Sequence, residues 1–148
     1  GADNDAGSDG LRVGDVMTGS VHACRAEKSL SDVVEVLMTH RCGAVLVEDS
    51  AGHPVGVISK SDLAIAYKHG EKTGSAAEGV MRRPVLSCGS SEVLSTALQK
   101  MLLKDVQRLF VYERDRDHIV GVLSLSDSAR FRSGSCRACT SGRLIVGV

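Results

Sequence analysis

Aromatic side chains are nearly missing from this 148-residue chain, which has no tryptophan, two tyrosines and two phenylalanines. Ring stacking is therefore not the expected means of holding a planar ligand. Net charge is missing too, with 18 Lys and Arg against 18 Asp and Glu. No overall field holds such a chain to nucleic acid or to an anionic membrane. No apolar run approaches the ~18 residues that read as a membrane span, and the first residues do not read as a signal peptide. The five cysteines, Cys24, Cys42, Cys88, Cys136 and Cys139, are an odd and mostly scattered set. That argues against a disulfide framework and for a reducing, cytoplasmic setting. A nucleophile–base signature, a metal-ligand helix and a Walker-type loop are all lacking, so the chain is not read as an enzyme.

What is present is repetition. Gly56-Val57-Ile58-Ser59-Lys60-Ser61-Asp62 returns as Gly121-Val122-Leu123-Ser124-Leu125-Ser126-Asp127, sixty-five residues later. Each copy begins as a buried strand and ends in Ser-x-x-Asp, the signature of a helix start. Such a junction points free backbone N–H groups outward and suits polar ligands. It is equally well explained as a plain cap, worth ~1 kcal/mol.

The remainder echoes in the same way. Ser29 with Asp32 predicts a capping box, opening a helix whose apolar stripe is Leu30, Val33, Val34, Leu37 and Met38. Leu94, Ala97, Leu98, Met101 and Leu102 reproduce that stripe at an offset of sixty-four. Brief extended pieces are expected at Val21–Cys24 and at Val85-Leu86, and Val80-Met81 echoes Val16-Met17. Ala44–Val47, the turn Asp49-Ser50-Ala51-Gly52 and Pro54–Ser59 predict a β-hairpin, followed by a helix from about Asp62 to His69. In the second half one extra residue is placed before Leu109-Phe110-Val111-Tyr112, which aligns Arg108 with Gly43 and Glu113 with Glu48. The fold class is α/β (α+β), with two pseudo-symmetric β-α-β-β-α repeats, each too small to close a core alone, packed sheet to sheet. Residues 1–10 read as an acidic disordered lead-in, 11–70 as the first repeat, 71–76 as a linker, 77–132 as the second repeat and 133–148 as a tail.

With Val16-Met17-Thr18, the stripes, the hairpins and the two Gly-x-x-Ser-x-x-Asp segments, residues 11–132 resemble a tandem pair of cystathionine-β-synthase (CBS) domains, a Bateman module. The run Val106–Val111 followed by Val120–Asp127 is especially similar to nucleotide-binding members. The resemblance implies a regulatory module that binds an adenosine-containing small molecule, an adenine nucleotide or S-adenosylmethionine, in clefts between the repeats. It also implies a homodimer that signals to a regulated partner protein. Ser59 with Asp62 and Ser124 with Asp127 would be the polar pairs of the two clefts, the aspartate on ribose and the serine on ribose or phosphate. A carboxylate suits that task because it can accept both hydrogens of a cis-diol. Arg108 stands where nucleotide-binding relatives carry a phosphate-binding arginine, although Gln107 replaces their preceding histidine. Relatives hold adenine between aliphatic side chains, which makes Val21, Ala44, Val85 and Leu109 the lining residues, unless they are plain core. His40, Arg41, Arg82 and Arg83 could supply other cations to the clefts, but read first as surface charge.

The tail departs from the family. Cys136-Arg137-Ala138-Cys139 brings two thiols close enough to share a Zn²⁺ or to form a disulfide, yet supplies two ligands where structural zinc takes four. The alternative reading is therefore a metal- or redox-responsive dimerisation module built on Cys136 and Cys139, with no nucleotide bound.

Overall fold

The computed structural model describes residues 10–126. In chain order the elements are helix α1 (Val13–Val16), strand β1 (Ala23–Arg25), helix α2 (Leu30–His40), strands β2 (Ala44–Glu48) and β3 (Pro54–Ser59), helix α3 (Lys60–Lys68), a 3-10 turn (Ala77–Gly79), strand β4 (Ser87–Gly89), helix α4 (Leu94–Lys104), and strands β5 (Arg108–Tyr112) and β6 (Ile119–Ser124). The chain is a mixed α+β protein with two three-stranded sheets, ordered β1-β2-β3 and β4-β5-β6. In each sheet the first pair is parallel, joined through a helix, and the second is an antiparallel hairpin. Among the described residues no helix is long and apolar enough to cross a membrane.

Two compact units form. One is contiguous, Ser20–Leu86; the other is split, made, among the described residues, of 10–19 together with 87–126. The split arises from the lead segments. Val13 N–H donates to Glu92 O at 2.9 Å, Gly14 N–H to Ser90 O at 2.8 Å and Leu94 N–H to Leu11 O at 3.0 Å. In the contiguous unit Ala77 donates to Lys28, Glu78 to Ala26 and Leu30 to Ser75, the same three bonds sixty-four residues apart. The Val-Met motif that precedes each repeat therefore docks on the strands of the other one. It ends in a short antiparallel bridge, Thr18 to Val122 in the split unit and Arg82 to Val57 in the contiguous one.

This bridge accounts for the glycine that opens each repeated motif. A Cβ on Gly56 would collide with the Met81 thioether, and one on Gly121 would lie 2.6 Å from both Met17 Sδ and Thr18 O. Only a residue without a side chain lets the crossing backbone this close.

Burial follows the apolar stripes. Leu30, Val33, Leu37, Val45, Val47, Ile58, Leu63 and Ala77 form the core of the contiguous unit. In the split unit Val13, Leu94, Ala97, Met101, Leu109, Val111 and Leu123 are buried. Met38 and Leu102, read as part of the stripes, are instead exposed at 72% and 68%. They sit at the edge of the apolar arc, one position past the residues that face inward. Ser29 Oγ accepts the Asp32 N–H at 3.1 Å, while the return bond from the Asp32 carboxylate is not formed among the described residues, so this cap is half a box. The stretch read as a linker also caps α2, because Ser31 N–H donates to Thr73 O at 3.0 Å.

Two expectations change. The first strand of each repeat begins later than expected, at Ala23 and Ser87, because parallel pairing starts only at Ala23↔Leu46 and Ser87↔Phe110. The extra residue of the second half lies in the hairpin turn, not ahead of β5. The pairs Ala44↔Ser59 and Arg108↔Ser124 make Ala44 the counterpart of Arg108, and the bulges at Val47/Glu48 and Val111/Tyr112 coincide at the same offset. Glu113 therefore corresponds to Asp49; their N–H groups close the two hairpins onto His118 O and His53 O.

Candidate ligand sites at the strand-to-helix junctions

In the contiguous unit β3 runs into α3 with no intervening loop, and Ser59 and Asp62 form the full capping box. Ser59 Oγ accepts from Asp62 N–H at 3.1 Å, and Asp62 Oδ2 accepts from Ser59 N–H at 2.9 Å. The other carboxylate oxygen, Oδ1, accepts from Arg82 Nε at 2.6 Å. The Asp62 side chain is 7% exposed, whereas that of Arg82 is 68% exposed. A charge-assisted bond of this length is strong, and it neutralises a carboxylate that would otherwise be costly to bury. Arg82, read as surface charge, is thus the third member of this junction. Its signal in the sequence is the echo of Met17-Thr18 in Met81-Arg82.

In the split unit the junction carries a different set. Arg108 and Ser124 are register partners across the β5–β6 ladder. Directly opposed residues project from the same face, so the Arg108 and Ser124 side chains leave one face at the end of this sheet. Both are half-buried. Ser124 Oγ lies 3.2 Å from Ser126 Oγ, and Leu125 N–H donates to Gln107 O at 2.8 Å, as Lys60 N–H donates to Gly43 O at 3.2 Å. Where the contiguous unit has Arg82 this unit has Thr18, whose hydroxyl lies 3.3 Å from Val122 O. Asp127, expected to complete the pair with Ser124, lies outside the described residues, as do Cys136 and Cys139.

Ala44 takes the place of Arg108, opposite Ser59, and is half-buried. Val21 and Val85 are half-buried in the stretches ahead of β1 and β4. Leu109 is fully buried and stands opposite Leu123 in the ladder. Strand alternation turns Arg108 and Leu109 to opposite faces, so the two do not share one surface. His40 stacks on His22 with ring centroids 4.0 Å apart, and Arg41 ends α2 in the left-handed conformation.

Cys88 is fully buried, and its thiol is pushed up to about 12, first by burial and then by the charge of Glu92, with Lys100 opposing. Burial is also the first cause of the raised pKa of Cys24, followed by the charge of Asp32. Neither has the depressed pKa of a reactive cysteine. Among the described residues no group of three or more His, Cys, Asp and Glu converges as a metal site.

Comparison with known proteins places these junctions in a family. The CBS domain family model matches residues 13–69 and again 77–127. The gamma subunit of 5'-AMP-activated protein kinase from Saccharomyces cerevisiae is 28% identical over 120 residues, covering 76% of this chain. The chain spans little more than a third of two curated relatives that it matches, 37% of this subunit and 36% of the arabinose 5-phosphate isomerase KpsF of Escherichia coli O6:H1. Among solved structures, the CBS domain pair of protein MJ0100 in complex with 5'-methylthioadenosine and S-adenosyl-L-methionine superimposes with a TM-score of 0.76 at 22% identity, covering 84% of this chain and 98% of that one. CBSX2 in complex with AMP gives a TM-score of 0.71 at 25% identity, covering 86% and 99%. With two family matches over most of its length and the same fold as solved pairs, this chain belongs to the CBS domain family as a tandem pair.

Proposed function

We propose that the chain is a regulatory, non-catalytic module that binds an adenosine-containing ligand, AMP, ADP, ATP or S-adenosylmethionine, at its strand-to-helix junctions. The observation that carries this reading is the pairing of Arg108 with Ser124 across β5 and β6. A guanidinium beside a hydroxyl offers a planar fork of donors to phosphate oxygens and one more polar contact to phosphate or ribose. Asp127, three residues beyond Ser124, supplies the carboxylate for the ribose hydroxyls; the bound AMP of CBSX2 and the adenosine ligands of MJ0100 support that choice of ligand. Aliphatic residues hold the base, since the chain has few rings. The signal passes through a homodimer to a partner protein, which requires only that two arrangements of the module differ in affinity for the ligand.

Isothermal titration of the nucleotide-stripped protein with the four ligands tests this. Micromolar binding is expected for at least one, weakened at least about tenfold, or ~1.4 kcal/mol, by Arg108→Ala for the phosphate-bearing ligands and by Asp127→Ala for all. Absence of binding by all four at millimolar concentration would reduce both Ser-x-x-Asp segments to helix caps.

A further inference from the structure

The two junctions share a fold and differ in two cations: the contiguous one has Arg82 where the split one has Thr18, and Ala44 where the split one has Arg108. At the contiguous junction both carboxylate oxygens of Asp62 are taken, Oδ2 by the Ser59 N–H and Oδ1 by Arg82 Nε. At the split junction the residue in Arg82's place is Thr18, an uncharged side chain. We infer that Arg82 is a specificity-determining residue: it holds Asp62 away from ligand and makes the contiguous junction the weaker of the two for an adenosine ligand. This rests on the nucleotide-binding reading above and adds to it which junction is filled and what withholds the other.

The argument is one of competition for an acceptor. A ribose diol binds a carboxylate by donating to oxygens that point at it. Each Asp62 oxygen keeps a lone pair beyond the bond it accepts, but the side chain is only 7% exposed, so a neutral diol reaches it by displacing the charge-assisted bond of 2.6 Å with a weaker one. The latch is also held from behind. Arg82 N–H donates to Val57 O at 2.9 Å and Val57 N–H to Arg82 O at 3.0 Å, which fixes the arginine backbone on β3, the strand that leads into Ser59. Arg82 is therefore anchored at its main chain, which keeps its side chain within reach of Asp62. The neighbouring anion-binding group is absent as well, because Ala44 stands where the split unit has Arg108.

The test exchanges the residue for its counterpart. Isothermal titration with AMP is run on the full chain as wild type, Arg82→Thr and Arg82→Gln; the glutamine variant keeps the aliphatic stem should threonine impair folding. Wild type is expected to bind one AMP per chain. Both variants are expected to bind two, the second at least about tenfold tighter than any second event in wild type, and Asp62→Asn in either variant should remove it. Two equal events in wild type, a single event in both variants, or weaker AMP binding on loss of Arg82 would each overturn the inference; the last would make Arg82 a phosphate contact. No AMP bound by any of the proteins is a distinct result: it removes AMP as the ligand and the inference with it, and leaves the wider reading to the titration with the other three ligands.

Discussion

Replacing Gly121 by alanine tests the crossing of the lead segment over β6. The added Cβ would stand 2.6 Å from Met17 Sδ and 2.6 Å from Thr18 O. The thioether is the end of a flexible side chain and can swing aside. The carbonyl cannot, because Thr18 and Val122 exchange two backbone hydrogen bonds of 2.9 Å each. Relieving the clash means lifting residues 17–18 off the strand and losing both bonds, each worth ~1 kcal/mol net. Residual overpacking adds ~1–3 kcal/mol, and the stiffer unfolded chain returns ~0.4–1 kcal/mol. The expected loss is about 2–4 kcal/mol, a large share of the ~5–15 kcal/mol that holds a typical domain. Gly56→Ala is the internal control. There the two nearest atoms both belong to the Met81 side chain, and Arg82 O is farther, at 3.0 Å. Its cost is expected to be smaller, ~1–2 kcal/mol, with most of it cancelled in a double-mutant cycle with Met81→Ala. Met17→Ala is expected to recover little of the loss at Gly121. Urea unfolding followed by far-ultraviolet circular dichroism, with midpoints compared at a common slope, reads all of these. A Gly121→Ala protein within ~0.5 kcal/mol of wild type, or one fully rescued by Met17→Ala, would refute the account of that glycine.

Two further predictions concern pH. The Cys88 thiol is raised to about 12 in the folded protein, so its contribution is complete below the ordinary thiol range and is lost as pH rises toward 12, at up to ~1.4 kcal/mol per unit; urea midpoints between pH 8 and 11 should fall more steeply for wild type than for Cys88→Ala, and equal slopes would contradict this. Asp49 is held below the usual carboxylate range, first by the His53 N–H and more weakly by that of Ala51, so its contribution is present above that range and lost as pH falls through the folded value; Asp49→Asn should flatten the acid side of the stability profile, and an unchanged profile would show that the turn does not sense this charge.

Much of the fold was legible because it is written twice. The hairpin of β2 and β3, the caps at Ser29 and Ser59, and the stripes of α2 and α4 are local patterns, and local patterns survive without knowledge of the partner. What escaped was non-local. Nothing in Val16-Met17-Thr18 tells which pair of strands it docks on, since both pairs present the same backbone acceptors and a facing glycine. Arg108 aligns with Gly43 in the sequence because Glu48 and Glu113 are identical, whereas the ladder pairs Arg108 with Ser124 and Ala44 with Ser59. Arg82 looked like surface charge because most of its side chain is indeed exposed; only its Nε reaches inward, to Asp62. For Leu109 the sequence leaves both lining and core open, because an aliphatic side chain at the edge of a buried run reads alike in either role.

The exchange of lead segments sets an order of manufacture. The contiguous unit is complete once Leu86 has been synthesised, but the split unit needs the chain before Ser20 and the chain after Leu86. Residues 10–19 are therefore made early and left without their strands while the whole of Ser20–Leu86 is translated, roughly 3–13 s at about 5–20 residues per second. Val13 and Val16, which end 0% and 5% exposed, spend that interval in water. The contiguous unit gains a head start on the ribosome, and the split unit closes last, when its newest strands capture its oldest residues.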